Sequence, residues 1–192
     1  MNFRFLPNLL TLARIAMVPV LVFLLLTGDY LRALIVALMA GISDWLDGTL
    51  ARRFDWQTEM GGWLDPVADK LLMTSAYWTL AWLGHLPWWL VGVVVVRDLV
   101  IVGGGLYYHY RIERFRGQPT ELSKFNTFCQ LLLMWVLLIG LAGIPVPLPL
   151  TIGLIWLVGF LAAATLVQYV VIWSIRAVRV VRSRNSAPPG SS

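Results

Sequence analysis

Between Asp44 and Asp69 the sequence sets four aspartates at helix-compatible intervals, with glycines and an arginine among them: Asp44, Asp47, Gly48, Ala51, Arg52, Gly61, Asp65 and Asp69. Residues three and four apart share a helix face. Asp44, Asp47 and Ala51 therefore lie on one face, and Asp65 and Asp69 on another. A short polar stretch, Phe54 to Met60, separates the two groups. The spacing predicts two antiparallel neighbouring helices whose carboxylates meet one to three turns from the loop.

Four carboxylates in an apolar setting need compensation. They can be protonated, paired with Lys or Arg, or neutralised by divalent cations. The nearby bases are Arg52 and Lys70, too few for four anions. Carboxylate oxygens are hard ligands that suit Mg²⁺, Mn²⁺ or Ca²⁺. Two such ions close together form a clamp for phosphoryl transfer. Gly48 and Gly61 would let a ligand approach the backbone, and Arg52 could give a phosphate two hydrogen bonds. The plainer alternatives are an interhelical salt-bridge cluster or a proton relay.

The elements that must position these residues are apolar. Hydrophobic residues make up 59% of the 192 and charged ones 13%, and mean hydropathy is +0.76. Soluble domains carry about 25% charged residues, so the composition points to a membrane protein. A span takes roughly 20 apolar residues, and six fit. The predicted helices run from about Leu9 to Leu26, Tyr30 to Arg53, Gly61 to Gly84, Trp88 to Tyr110, Glu121 to Ala142 and Leu150 to Arg179. The expectation is an all-α integral membrane protein of about six transmembrane helices. Residues 1–182 would form one domain and 183–192 a disordered polar tail. Arg14 interrupts the first apolar run, and no A-x-A-like cleavage site follows it, so that run is expected to be retained. The one cysteine, Cys129, excludes an intrachain disulfide and is expected as inert packing.

The net charge of +5 is assigned to membrane orientation, not to nucleic acid, because Lys and Arg lie beside apolar runs. Arg4, Arg52, Arg53, Arg111, Arg114, Arg116, Lys124, Arg176, Arg179, Arg182 and Arg184 fall on one side of a six-helix chain. Arg32 is the one Lys or Arg on the other. The positive-inside rule then places both termini, and the aspartate window, on the cytoplasmic side. In a bacterium the membrane would be the inner one.

The pattern D-x2-D-G-x2-A-R-x8-G-x3-D-x3-D resembles the signature of the CDP-alcohol phosphatidyltransferases, and every defined position is met. Pro7 to Arg14 resembles that family's lead into its first helix. Leu64 to Lys70 resembles its glycerophospholipid branch. The resemblance covers nearly the whole chain and implies a reaction. A CDP-linked lipid is bound with two divalent cations, Mg²⁺ or Mn²⁺. Its phosphatidyl group passes to an alcohol and CMP is released. It further implies that Asp44, Asp47, Asp65 and Asp69 ligate the metals and that Asp69 is the general base. Gly48, Ala51, Arg52 and Gly61 would line the CDP site. A homodimer is also implied.

The donor would be CDP-diacylglycerol. The acceptor would be phosphatidylglycerol, as in cardiolipin synthesis, or glycerol 3-phosphate, as in phosphatidylglycerol phosphate synthesis. Arg97-Asp98-Leu99, and Pro119 to Thr127 with Gln130, resemble the cardiolipin synthase group, which favours phosphatidylglycerol. Either acceptor bears a phosphate. Arg97, Arg111, Arg114, Arg116 and Lys124 are the candidates to hold it, with a helix–helix ion pair as the alternative for Arg97 and lipid anchoring for the loop arginines. Asp98 is expected to point away from Arg97, because adjacent helix residues diverge.

His85 and His109 have no evident partners and are expected at an interface. Trp56, Trp63, Trp88 and Trp89 suit interfacial belts. Gly103-Gly104-Gly105 suits a close helix contact. Two other classes compete with the transferase. An ion-conducting protein would show repeats and a second acidic window, which helices four to six lack. A scaffold gives no reason for Asp47-Gly48 or Gly61.

Overall fold

The computed structural model describes residues 6–54, 59–111 and 120–185, and within them the side chains of 9–44, 46, 49, 67–104 and 120–172. All the described segments are helical apart from their turns. The helices are α1 (Leu6–Leu26), α2 (Tyr30–Phe54), α3 (Glu59–Trp82), α4 (Trp88–Arg111), α5 (Glu121–Leu141) and α6 (Leu148–Asn185). Six helices match the expected number, and the N-terminal five end within three residues of the predicted bounds. The start of α1 is earlier than expected, with Pro7 in its first turn, where a missing N–H leaves no helix bond unmade. At the other end, α6 continues to Asn185, past the last turn expected.

Three helix ends are closed by the same device. Gly28, Gly84 and Gly143 have φ of +76°, +81° and +93°, a left-handed conformation that glycine adopts without a Cβ clash. Gly28 N–H donates to Leu25 O at 3.1 Å and Asp29 N–H to Leu24 O at 3.0 Å. The same paired bonds recur at Gly84 with His85 and at Gly143 with Ile144. These turns fold α1 on α2, α3 on α4 and α5 on α6. Tyr30 Oη lies 3.2 Å from His85 Nε2, so the first two turns meet. His85 therefore has a partner, contrary to the sequence expectation. The partner comes from 55 residues away and leaves no local signal.

The start of α5 is capped by Thr120, whose side chain accepts from Ser123 N–H at 3.3 Å. Glu121 in the first turn complements the helix dipole.

One apolar core runs through the bundle. Leu21 and Leu25 of α1, Ala37 of α2, Leu80 of α3, Leu90 of α4, Leu133 of α5 and Val158 of α6 belong to it. Among the described residues, α2 and α3 pack chiefly against α1 rather than against each other, while α4 and α5 pack on α6. The side chains of α2 and α3 next to their connecting loop lie outside the described residues, so the predicted pairing there is not described. Ala33, Ala37 and Ala40 give α2 a face of small buried side chains, which lets a neighbouring backbone approach closely.

Large apolar side chains also cover the outside. Phe23, Trp82, Leu99, Phe128, Trp156 and Phe160 are all more than half exposed. A water-soluble monomer rarely tolerates such a surface, and a hydrocarbon solvent requires it. Among the described residues, Leu9–Leu26, Glu121–Leu141 and Leu148–Ile172 are long and apolar enough to cross a membrane. Trp88 stacks edge-on with Trp78 and Trp82 near the glycine turns, as an interfacial belt would. Trp56, Trp63 and His109 lie outside the described side chains. A Cβ placed on Gly103 would meet no heavy atom within 4 Å among the described residues.

Candidate active site

The guanidinium of Arg14 joins the two halves of the aspartate window. Its Nη1 lies 2.9 Å from Asp44 Oδ1 and 2.8 Å from Asp69 Oδ1. Arg14 is 1% exposed, whereas both carboxylate side chains are 47% exposed. A buried cation thus holds two half-open carboxylates from behind. The packing of α1 on both α2 and α3 makes this contact. Residues at these positions lie twelve to fourteen residues from the glycine-turn ends of their helices. At 1.5 Å per residue that is roughly 20 Å along the helices from the glycine turns.

A second ion cluster begins one residue later. Lys70 Nζ donates to Asp98 Oδ2 of α4 at 2.5 Å. Arg97 Nη1 donates to Asp98 Oδ1 at 2.6 Å. Asp98 therefore turns towards Arg97 instead of away from it. Adjacent Cβ atoms do diverge on a helix, but the arginine side chain is long enough to curl back. Arg97 is 2% exposed. Its Nε donates to Thr165 Oγ1 of α6 at 3.3 Å, and its Nη2 to Ser123 Oγ of α5. Each guanidinium nitrogen thus has an acceptor inside the bundle, on three different helices.

The remaining sequence candidates separate as follows. Asp47, Asp65, Gly48, Ala51, Arg52, Gly61 and Arg111 lie on described helix backbone, but their side chains are outside the described residues. Arg114 and Arg116 lie outside them altogether. Lys124 is exposed and donates to Glu121 Oε1 at 2.7 Å, one turn back on α5. Among the described residues no three His, Cys, Asp or Glu side chains form a metal-holding group.

Sequence reasoning missed Arg14 as a member of the site. The signal was present, since an arginine within an apolar run needs an anionic partner. It also assigned Lys70 to the aspartate window, whereas the structure turns it to Asp98. Two further polar groups were passed over. Asn126 and Gln130 of α5 are 0% and 1% exposed, and among the described residues Gln130 Nε2 and both polar side-chain atoms of Asn126 have no hydrogen-bond partner.

A sequence profile of the CDP-alcohol phosphatidyltransferase family matches residues 4–181. Three curated relatives are each 36% identical over the matched region. The "Probable cardiolipin synthase (CMP-forming)" of Drosophila melanogaster aligns with 88% of this chain and 58% of its own length. For the chloroplastic "CDP-diacylglycerol–glycerol-3-phosphate 3-phosphatidyltransferase 1" of Oryza sativa subsp. japonica the shares are 69% and 46%. For the "Probable phosphatidylglycerophosphate synthase" of Mycobacterium tuberculosis they are 72% and 68%. The chain spans about half the length of the first two. Both acceptor types are present among these names.

Proposed function

The chain belongs to the CDP-alcohol phosphatidyltransferase family, and from that premise we propose that it moves a phosphatidyl group from CDP-diacylglycerol to a glycerol-type acceptor, releasing CMP. The observation that carries this reading is the convergence of Asp44 and Asp69 on Arg14. Aspartates from both halves of the family signature are brought to one point, half open to the outside.

The residues fit the divalent ions that the family implies. Asp44 and Asp69 offer hard carboxylate oxygens that meet at one Arg14 nitrogen. Together with Asp47 and Asp65 they would hold two ions, Mg²⁺ or Mn²⁺. Such ions supply neutralisation of the pyrophosphate and of the departing CMP. Arg14 orients the two carboxylates, and Arg52 would bind a phosphate of CDP beside Gly48, Ala51 and Gly61. Asp69 takes the proton of the acceptor hydroxyl. The hydroxyl oxygen bonds to the phosphatidyl phosphorus, and the bond from that phosphorus to the CMP oxygen breaks. No other covalent step is needed, so positioning and electrostatics carry the rate.

Phosphatidylglycerol is the favoured acceptor, on the Arg97-Asp98 and Pro119–Thr127 resemblance; glycerol 3-phosphate is the second reading. The positive-inside pattern supports a multi-pass chain with this site on the cytoplasmic side.

The test uses purified protein with radiolabelled CDP-diacylglycerol and Mg²⁺ or Mn²⁺. Glycerol 3-phosphate, phosphatidylglycerol, inositol phosphate and serine are offered separately. CMP release with phosphatidylglycerol is the expected result, abolished by chelation. No CMP with any acceptor overturns the reading.

A further inference from the structure

Asp69 and Lys70 belong to two different ion clusters. Among the described side chains Arg14 faces Asp44 and Asp69. Among the described side chains Lys70 and Arg97 face Asp98, two cations against one anion. Arg97 and Asp98 form a closed, neutral pair, because Arg97 is buried and its nitrogens already have acceptors on Thr165, Ser123 and Asp98. The surplus charge is that of Lys70. Its side chain is 38% exposed and Asp98 is its one acceptor among the contacts here. A lysine ammonium is a compact, mobile donor with three protons to place. Unbalanced positive charge in a membrane interior marks the place of an anion.

A second observation comes from α5. Asp98 shares the wall of a narrow cavity between α3, α4 and α5 with Thr74, Tyr77 and Gln130. Tyr77 Oη donates to the Gln130 main-chain carbonyl at 2.8 Å. Gln130 is 1% exposed and its Nε2 has no acceptor among the described residues. A buried amide N–H without a partner is rare, because leaving water forfeits a hydrogen bond. The cavity has room for a water-sized group such as a hydroxyl, not for an acyl chain.

We propose that Lys70 is the phosphate-binding residue for the acceptor, with Asp98 as its resting partner, and that the Gln130 amide receives a hydroxyl of the acceptor's glycerol. The ligand is a glycerol phosphate, either the soluble monoester or the diester headgroup of a lipid. This inference rests on the transferase reading and gives it a geometry. Lys70 follows the proposed base Asp69 on α3 and bonds to the other side of the helix, so the acceptor's glycerol would reach from Lys70 across α3 to Asp69. Arg97 is left to hold Asp98 in place.

The test is binding of glycerol 3-phosphate to the full chain in phosphatidylcholine nanodiscs, measured by calorimetry, for the unmodified protein, Lys70→Gln and Lys70→Arg. Lys70→Gln should weaken binding about 10- to 100-fold, the worth of a charged hydrogen bond, and Lys70→Arg should recover most of it. Adding phosphatidylglycerol to the nanodiscs distinguishes the sources: Lys70-dependent competition supports the site as one for the lipid headgroup, and Lys70-dependent binding without competition supports it for the soluble monoester. In turnover, Lys70→Gln should raise KM for the acceptor by the same factor and leave KM for CDP-diacylglycerol within about twofold. Gln130→Leu, which keeps the buried volume, should raise acceptor KM alone and serves if Lys70→Gln does not fold. Unchanged acceptor binding in Lys70→Gln, or parallel loss of CDP-diacylglycerol, overturns the proposal, as does no binding of either acceptor by the unmodified protein. CMP release with an unaltered acceptor KM sinks this inference and leaves the transferase standing. Lys70-dependent binding without CMP release does the reverse.

Discussion

Asp69 and Lys70 are consecutive on α3 and bond in different directions, Asp69 to Arg14 of α1 and Lys70 to Asp98 of α4. One turn of helix thus presents an anion to one side of the bundle and a cation to the other. A reaction that joins a metal-seeking pyrophosphate to an anionic acceptor needs such a boundary, and the proposed base stands on it.

Asp69→Asn keeps the side-chain volume and removes the proton acceptor. Turnover should fall by about 10²- to 10⁴-fold, while CDP-diacylglycerol binding is largely retained. Single-turnover CMP release alongside equilibrium binding checks this. Full activity in the variant would assign the base elsewhere.

Arg14→Gln removes the guanidinium that Asp44 and Asp69 share. The half-exposed carboxylates regain some hydration, so the loss should sit near the lower end of about 1.5–3 kcal/mol for charged hydrogen bonds. Unfolding in detergent, followed by intrinsic tryptophan fluorescence, measures it. Mg²⁺ should then stabilise the variant more than the unmodified protein, because the ion replaces the missing cation. An equal response to Mg²⁺ would argue against a metal at Asp44 and Asp69.

Gly159 of α6 faces the ring of Trp89 of α4. A Cβ there would lie 2.5 Å from the indole, and the ring already packs against Trp156 with centroids 5.2 Å apart. Gly159→Val should cost about 1–3 kcal/mol through overpacking. Gly103→Ala, where a Cβ meets nothing among the described residues, should not destabilise the chain. Equal melting shifts for the two would contradict the close α4–α6 approach.

Lys124 pairs with Glu121 in the open, and such a pair contributes about 0–1 kcal/mol. Lys124→Ala should therefore leave the melting temperature nearly unchanged. A rise in acceptor KM against that background reports phosphate contact. No rise returns Lys124 to a surface pair.

Much of this arrangement is legible in the sequence. Hydropathy and the glycines at 28, 84 and 143 mark the helices and their turns, because both signals are local. The aspartate window is legible as chemistry, since its spacing follows the helical period. The contact that assembles it is not, because Arg14 lies 55 residues from Asp69 and only packing brings them together. The spacing brings Asp44 and Asp69 together as expected, and nothing local says that a residue of α1 joins them. Arg97 with Asp98 shows a further limit: helical periodicity governs where Cβ atoms point, not where a long side chain ends.

The glycine turns also bear on how the chain enters its membrane. They tie the helices into hairpins, and Arg14 and Asp44 occupy the same one. When α1 and α2 are inserted as a pair, the first carboxylate of the window enters the bilayer already neutralised. Asp69 follows in the next hairpin and shares the guanidinium that already holds Asp44. Arg97 and Asp98 travel together on a single helix. An unpaired charge in hydrocarbon is the chief obstacle to inserting such a sequence, and the pairs of Arg14 with Asp44 and of Arg97 with Asp98 lower it for the charges they join.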